Sequence, residues 1–325
     1  MKVVVTGGAG YIGSVVTAHL MTEGMQVTIL DKLIYGGEGL LSHFGNPRFS
    51  LVAGDVRSEG DLDKALHGAD AVLHLAAVVG EPACSLDERA AWSTNCEGTR
   101  KTLAAAAARG VERFVLVSTC SNYGVSATDV LADESFPLKP LSRYAESKVE
   151  AEKLVLQSGV PGSFVLRFGT ICGIAPRMRF DLLVSEMARC AVLKESMRIF
   201  APAAWRPFLH VRDAARALAH CLCAPREKLQ GKVFNVVGEN CQKRGLAELV
   251  LKHYPETSIE IAGKAPDLRD YRVSGERIRQ EIGFITQNTV EDAFLETAGA
   301  VASGLFRDPK WAGHSAIPLD PSRVH

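Results

Sequence analysis

The first chemistry visible in this sequence lies in two side chains four residues apart. Ser142-Arg143-Tyr144-Ala145-Glu146-Ser147-Lys148 opens a helical pattern after a proline-containing turn at 137–140. That spacing puts Tyr144 and Lys148 on one helical face. A phenol, with an ordinary pKa of about 10, becomes a useful base only where something favours its phenolate, and a neighbouring ammonium does so. The pair could therefore take a proton from an alcohol. Tyr-x-x-x-Lys alone equally describes an exposed aromatic–cation pair, so the preceding segment matters. Residues 114–118 read as a strand that runs into Ser118-Thr119-Cys120-Ser121-Asn122-Tyr123-Gly124, a cluster of hydroxyls at a carboxyl end. One of them could hold the oxygen that Tyr144 deprotonates, although each alone is also an ordinary turn residue.

A second set of residues suits an anion. Met1-Lys2-Val3-Val4-Val5 is a short β-branched run, Thr6-Gly7-Gly8-Ala9-Gly10-Tyr11-Ile12-Gly13 follows it, and residues 14–23 carry apolar side chains at helical spacing up to Gly24. Gly8, Gly10 and Gly13 fit G-x-G-x-x-G between a strand and a helix. Glycines there allow a tight turn, close approach of backbone to a pyrophosphate, and helix–strand packing. The helix start adds free N–H groups and a positive dipole end. A second strand, 26–30, ends at Asp31, roughly the 20-residue offset of a ribose-binding carboxylate.

The elements that must position these groups alternate. Strands are read at 27–30, 49–52, 71–75, 114–118 and 164–168, with helices at 58–66, 86–109 and 142–157. Such alternation implies a doubly wound parallel α/β sheet of the Rossmann type, with ligands beyond the strands' carboxyl ends. After residue 168 the rhythm breaks. Residues 199–207 are punctuated by proline, 211–223 read as a helix, 233–237 as a strand, 244–253 as a helix and 258–261 as a short strand. The expected organisation is a dinucleotide-binding domain at 1–170 and a smaller C-terminal α/β substrate lobe at 171–325, with single elements crossing back. The sequence has 325 residues, and its 37 Lys and Arg balance 37 Asp and Glu. That neutrality makes no case for nucleic acid or an anionic membrane, so local cations must carry any anion binding. No apolar run approaches the ~20 residues of a membrane span, and an N-terminus that is already strand implies no signal peptide. Eight cysteines, scattered and without C-x-x-C pairs, read as reduced thiols of a cytoplasmic protein and imply no metal site.

In these motifs the sequence resembles the extended short-chain dehydrogenase/reductase superfamily, in its nucleotide-sugar epimerase/dehydratase branch. The likeness rests on Thr6–Gly13, Asp31, Gly54-Asp55-Val56, His74-Leu75-Ala76-Ala77, Thr94-Asn95, Ser118-Thr119, Tyr144-x-x-x-Lys148, Leu166-Arg167-Phe168 and Arg206-Pro207-Phe208-Leu209-His210-Val211-Arg212-Asp213. It implies NAD as cofactor, bound by Gly7, Gly10, Tyr11, Ile12, Gly13, Leu75, Ala76, Ala77, Asn95 and Lys148. Asp31 would bind the adenosine ribose and repel a 2′-phosphate, with Lys32 beside it leaving NADP open, and Asp55 and Val56 would border the adenine. Thr119 would orient the substrate hydroxyl, Tyr144 act as base and Lys148 promote it. His74, at a strand end, is read as structural. The substrate implied is a nucleotide sugar, touched by Thr119, Tyr144 and Thr170, with Arg206 and more weakly Arg269 on its diphosphate. Solvated surface charge is the alternative for both arginines. Relatives often pair two helices into a dimer, and the alanine-rich 104–108 stretch suits such a homodimer.

The sequence also departs from the branch. Dehydratases usually carry Asp-Glu after the catalytic threonine and decarboxylases commonly keep the Glu, whereas Cys120-Ser121 stands here. Thr170 replaces a frequent Asn, and Glu81 lies on a loop the family uses near the sugar, where it reads as a loop anchor. The resulting expectation is an NAD-dependent nucleotide-sugar C4-epimerase. A C4 dehydrogenase or 4-keto reductase is the alternative, followed by a dehydratase or a non-catalytic dinucleotide sensor.

Overall fold

The computed structural model describes residues 1–125, 130–262 and 269–318. In chain order the first half contains β1 (Lys2–Thr6), α1 (Tyr11–Thr22), β2 (Gln26–Asp31), β3 (Phe49–Ala53), α2 (Glu59–Ala65), β4 (Ala71–His74), α3 (Glu81–Leu86), α4 (Glu88–Trp92), α5 (Gly98–Ala108) and β5 (Arg113–Thr119). The short β6 (Leu131–Ala132), then α6 (Arg143–Leu156), β7 (Ser163–Phe168) and β8 (Thr170–Cys172) follow. Next come α7 (Leu183–Val192), β9 (Met197–Phe200), β10 (Trp205–His210), α8 (Val211–Cys223), β11 (Val233–Val236), β12 (Glu239–Gln242) and α9 (Lys243–His253). The last elements are β13 (Ile259–Ala262), β14 (Arg272–Val273), α10 (Glu276–Ile282) and α11 (Val290–Ala302).

Seven strands form one sheet in the order β3-β2-β1-β4-β5-β7-β11, and every pairing in it is parallel. Because side chains alternate along a strand, the apolar run of β1 feeds two cores. Val3 and Val5 pack with Val16, Leu20, Ala214 and Leu218 of α1 and α8 on one face. Val4 packs with Leu62, Leu103, Ala106 and Val155 of α2, α5 and α6 on the other. Burial on both faces explains why these strands read as continuous hydrophobic runs. Strand order reverses between β1 and β4, so a crevice opens at their carboxyl ends.

Two elements of the second half serve this large sheet: β11 joins its edge and α8 packs against its face. The remainder forms a three-stranded sheet, β12-β10-β8, and the pairs β13-β9 and β14-β6. A separate core joins α7, α9 and α11 through Met187, Leu246 and Phe294. Among the described residues no helix is long and apolar enough to cross a membrane.

The long helix expected over 86–109 is interrupted. Asp87 leaves helical geometry at φ −150°, and its carboxylate caps α4 by accepting from Ala90 N at 2.8 Å. The helix then passes through a π-turn at Ser93–Glu97 before α5. The wider turn shifts the register at Asn95, a residue of the site. Proline-rich 199–207 contains a strand end, a turn with Ala201 at φ 49°, and the start of β10.

Candidate active site

The glycine loop leads from β1 into α1. Gly7 has φ +72°, and a Cβ there would lie 2.8 Å from Ala76 N. A Cβ on Gly13 would strike the carbonyl oxygen of Gly7. Both positions therefore require glycine. Gly8, by contrast, makes room for the Ile29 side chain of β2, which a Cβ would approach to 2.5 Å. Gly7 and Gly13 are thus held by backbone and Gly8 by the Ile29 side chain, whereas a Cβ on Gly10 would come no closer than 3.3 Å, to Gly7 O. Gly10 is the N-cap of α1 and offers no capping side chain. The first-turn N–H groups of Tyr11, Ile12 and Gly13 accordingly lack intrahelical acceptors. The Tyr11 ring turns away: its hydroxyl donates to Gly173 O and anchors α1 to the chain after β8.

Asp31 ends β2 beside this loop. Its Oδ2 accepts from Ala9 N at 2.9 Å and its Oδ1 from Leu33 N at 2.8 Å. Burial raises its pKa against these two bonds. Each carboxylate oxygen keeps a further acceptor site. Asp55 lies one strand over, with Lys32 Nζ at 3.1 Å and Arg57 Nη2 at 2.7 Å from its Oδ2. Burial would raise that carboxyl, but the hydrogen bonds from Arg57 and Lys32 prevail and hold it at about 2. Val56 is buried against Gly98 of α5, where a Cβ would meet its Cγ2 at 2.7 Å. Leu75, Ala76 and Ala77 remain half-buried at the end of β4.

Behind the crevice a chain of hydrogen bonds fixes the histidine tautomer. Thr99 Oγ1 donates to Asn95 O at 2.6 Å and lies 3.0 Å from His74 Nε2, so Nε2 carries the proton. His74 Nδ1, 2.8 Å from Thr6 Oγ1, then accepts from Thr6, whose oxygen takes the Ala76 N–H at 3.2 Å. Burial, with Lys148 nearby, pushes the His74 pKa down to about 3. This imidazole stays neutral and tethers β4.

Asn95 is a hub. Its Oδ1 accepts from Val78 N at 2.8 Å, and its Nδ2 donates to Val78 O at 3.0 Å and Ser147 Oγ at 2.9 Å. Ser147 in turn donates to Tyr144 O at 2.8 Å. Buried at 1% exposure, Asn95 ties the loop after β4 to the helix carrying Tyr144. The cofactor contact implied for it finds its amide already engaged by protein.

Ser142 caps α6 by accepting from Ala145 N at 3.2 Å. Burial raises the Tyr144 pKa above its ordinary value, and Arg179 and Arg269 are the cations that oppose it. Lys148 is itself buried, which brings its pKa down to about 8 against the pull of Glu152. Thr119 stands half-buried at the end of β5, where its Oγ1 accepts from Ser121 N at 3.1 Å and keeps its own proton to donate. Below them Glu152 of α6 grips Arg167 of β7 (Nη2 to Oε2, 2.7 Å; Nε to Oε1, 3.0 Å) and accepts from Asn122 Nδ2 at 2.7 Å. This network pins α6 to the sheet.

From the second half, Arg269 donates to Ser121 Oγ at 3.0 Å, and the Tyr271 hydroxyl donates to the same oxygen at 3.4 Å. Arg269 therefore sits at the end of β5, beside Thr119. Arg206 is 4% exposed and donates to the carbonyls of Trp205 and Arg269. That arrangement holds the segment carrying Arg269. Thr170 opens β8 in register with Phe208. The Cys120 thiol is fully buried, donates to Arg167 O at 3.4 Å and has its pKa raised by burial. Glu81 is exposed at the start of α3 and accepts from Ser85 Oγ at 3.3 Å.

The profile of the NAD dependent epimerase/dehydratase family matches residues 3–237. The chain belongs to this family. Within it, a dTDP-glucose 4,6-dehydratase from Actinoplanes sp. is 31% identical over 318 residues, covering 91% of this chain and 96% of that protein. A UDP-glucose 4-epimerase from Rhizobium meliloti is 34% identical over 177 residues, 53% of this chain and 52% of that protein. Among solved structures, the dTDP-glucose 4,6-dehydratase DesIV from Streptomyces venezuelae, with NAD and TYD bound, is 27% identical with a TM-score of 0.84 over 95% of this chain and all (100%) of that one.

The family's cofactor is NAD, and the residues present fit it. The side-chain-free N–H groups at the start of α1 suit a diphosphate, and the open acceptor sites of Asp31 suit ribose hydroxyls. One feature had no local signal in the sequence. The segment after α11 returns across the crevice, with His314 O accepting from Phe180 N at 2.8 Å and Ala316 O from Tyr35 Oη at 2.6 Å. Ala316 N donates to Asp181 Oδ2 at 3.2 Å, and Arg177 donates to the carbonyls of Gly313 and Ser315. Ala316 is buried in a cluster that includes Val78, Cys84 and Tyr144, so the segment after α11 lies beside Tyr144.

Proposed function

We propose that this protein is an NAD-dependent nucleotide-sugar C4-epimerase. The observation that carries the reading is the turn after Thr119. Loss of water from a 4-keto sugar needs a base for the C5 proton and an acid for the C6 hydroxyl. At the two places after Thr119 the chain offers a buried, strongly protonated thiol and a serine whose oxygen is met by Arg269 and Tyr271. Glu81, the carboxylate that might have replaced the missing pair, is exposed and engaged with Ser85. Moving hydrogen on and off C4 needs neither group.

Thr119 donates its proton to the C4 oxygen and orients it. Tyr144 takes the hydroxyl proton and later returns it. Lys148 and the guanidinium groups of Arg179 and Arg269 stabilise the phenolate against its burial. When bound, the oxidised nicotinamide brings a positive charge and accepts and returns the C4 hydride. The 4-keto sugar turns in the pocket between the two transfers, so that hydrogen returns to its opposite face. Arg206, through Arg269, shapes the side that receives the sugar nucleotide. The C-terminal segment across the crevice supports a site that keeps its cofactor through the cycle. Incubation with a panel of UDP-, GDP-, CDP- and dTDP-sugars tests the reading: NMR of products should show a C4 epimer, with NAD retained on the protein. A 4-keto-6-deoxy product would refute it.

A further inference from the structure

The carboxyl ends of β2 and β3 hold four charges in a small space. Asp31 pairs in register with Ala53, and Gly54 N donates to Asp31 O at 2.9 Å, so Asp55 emerges beside Asp31. Lys32 directly follows Asp31 in the chain. A lysine there, with an arginine nearby, is the kind of equipment that binds a 2′-phosphate. Neither cation is turned to that use. Asp55 takes Lys32 on Oδ2 and Arg57 on both oxygens, by Nε at 3.0 Å and Nη2 at 2.7 Å, while Arg57 N adds a bond at 2.8 Å. Asp55 is itself held by its own N–H, which donates to Asp61 Oδ2 at 3.1 Å. The Lys32, Asp55 and Arg57 side chains are 28%, 21% and 20% exposed, so the cluster is sheltered from solvent screening.

We propose that Asp55 is a cofactor-selectivity residue: by holding Lys32 and Arg57 it withholds both cations from the 2′-phosphate of NADP. Discrimination then has two parts. Asp31 repels the phosphate, and Asp55 keeps the neighbouring cations from compensating. The inference rests on the dinucleotide site and not on C4 chemistry, so its failure would leave the epimerase reading intact.

Calorimetric titration of NAD and NADP into Asp31→Ser, Asp31→Ser/Asp55→Asn, Asp31→Ser/Lys32→Met and the triple variant tests it. Adding Asp55→Asn to Asp31→Ser should improve the NADP-to-NAD affinity ratio by about tenfold, the scale of one charge-assisted phosphate contact. Lys32→Met should remove most of that gain, yet in the Asp31→Ser protein with Asp55 intact it should change NADP affinity by less than about threefold. The proposal is overturned if Asp55→Asn leaves the ratio unchanged in a protein with native circular dichroism. It is overturned equally if Lys32→Met weakens NADP binding by more than about threefold while Asp55 is intact. That second arm decides the question even if the Asp55→Asn variants fail to fold.

Discussion

Replacing Asn95 by alanine distinguishes a positioning residue from a cofactor ligand. The substitution removes three hydrogen bonds of 2.8, 3.0 and 2.9 Å, two to Val78 and one to Ser147. It leaves the Val78 N–H and carbonyl buried without those partners. Each bond contributes about 1 kcal/mol net, and an orphaned buried group costs about 1–3 kcal/mol, so the loss should be about 3–5 kcal/mol. A urea transition monitored by circular dichroism should shift to a lower midpoint with an unchanged slope. Turnover should fall as well, because Asn95 reaches Tyr144 through Ser147. NAD affinity, measured calorimetrically below the transition, should change by less than about tenfold, equivalent to 1.4 kcal/mol. Stability unchanged with NAD affinity lost beyond that limit would refute the assignment and restore Asn95 as a direct ligand.

Three other expectations follow from the same geometry. Tyr144→Phe should keep the fold and NAD affinity while losing about 10²–10⁴-fold in kcat, the usual contribution of acid–base catalysis; near-normal turnover on the true substrate would mean another base. Lys148 has an ordinary pKa of 10.5 that burial lowers to about 8. Between those values the unfolded chain binds the extra proton, so this group's contribution to stability rises with pH across that window, and below it the penalty is about 3 kcal/mol at about 1.4 kcal/mol per unit. Lys148→Met should therefore be the more stable protein at pH 7 although inactive, with an advantage that shrinks from pH 8 to 10; an advantage that grows would contradict the burial argument. Finally, the exposed Ala104, Ala107 and Ala108 of α5, close to α6, are expected to pair with a second copy. Sedimentation equilibrium should then give twice the chain mass of 35.0 kDa, and a monomer mass at micromolar concentration would refute the dimer.

The parallel sheet was legible because its strands are buried on both faces and its punctuation is local. Val3–Val5, the glycines and Asp31 carry their meaning within one strand–turn–helix unit. Tyr144 and Lys148 were legible for the same reason, since i and i+4 share a face. What the sequence leaves unread depends on distant partners. The crowding at Gly8 and Gly7 comes from Ile29 of β2 and from Ala76 after β4, both outside the glycine loop. Asn95 meets Val78 and Ser147 from within a π-turn that its local sequence does not announce. Arg269 lies near Ser121, 148 positions away in sequence. The contacts of Ala316 with Tyr35 and Asp181 span 281 and 135 positions, and nothing near residue 316 in the chain announces them. The amphipathic pattern of α7 (Val184, Met187, Ala188, Ala191) is readable from local spacing alone.

The central claim is that hydrogen leaves and returns at C4 without elimination, and a reaction run in D₂O tests it most directly. Hydride carried from C4 and returned there exchanges nothing with solvent. After return to H₂O, the product of the proper sugar nucleotide should have unchanged mass, no carbon-bound deuterium and inverted C4. Elimination must reprotonate C5 from solvent, so a product lighter by one water and carrying deuterium on carbon would contradict the account.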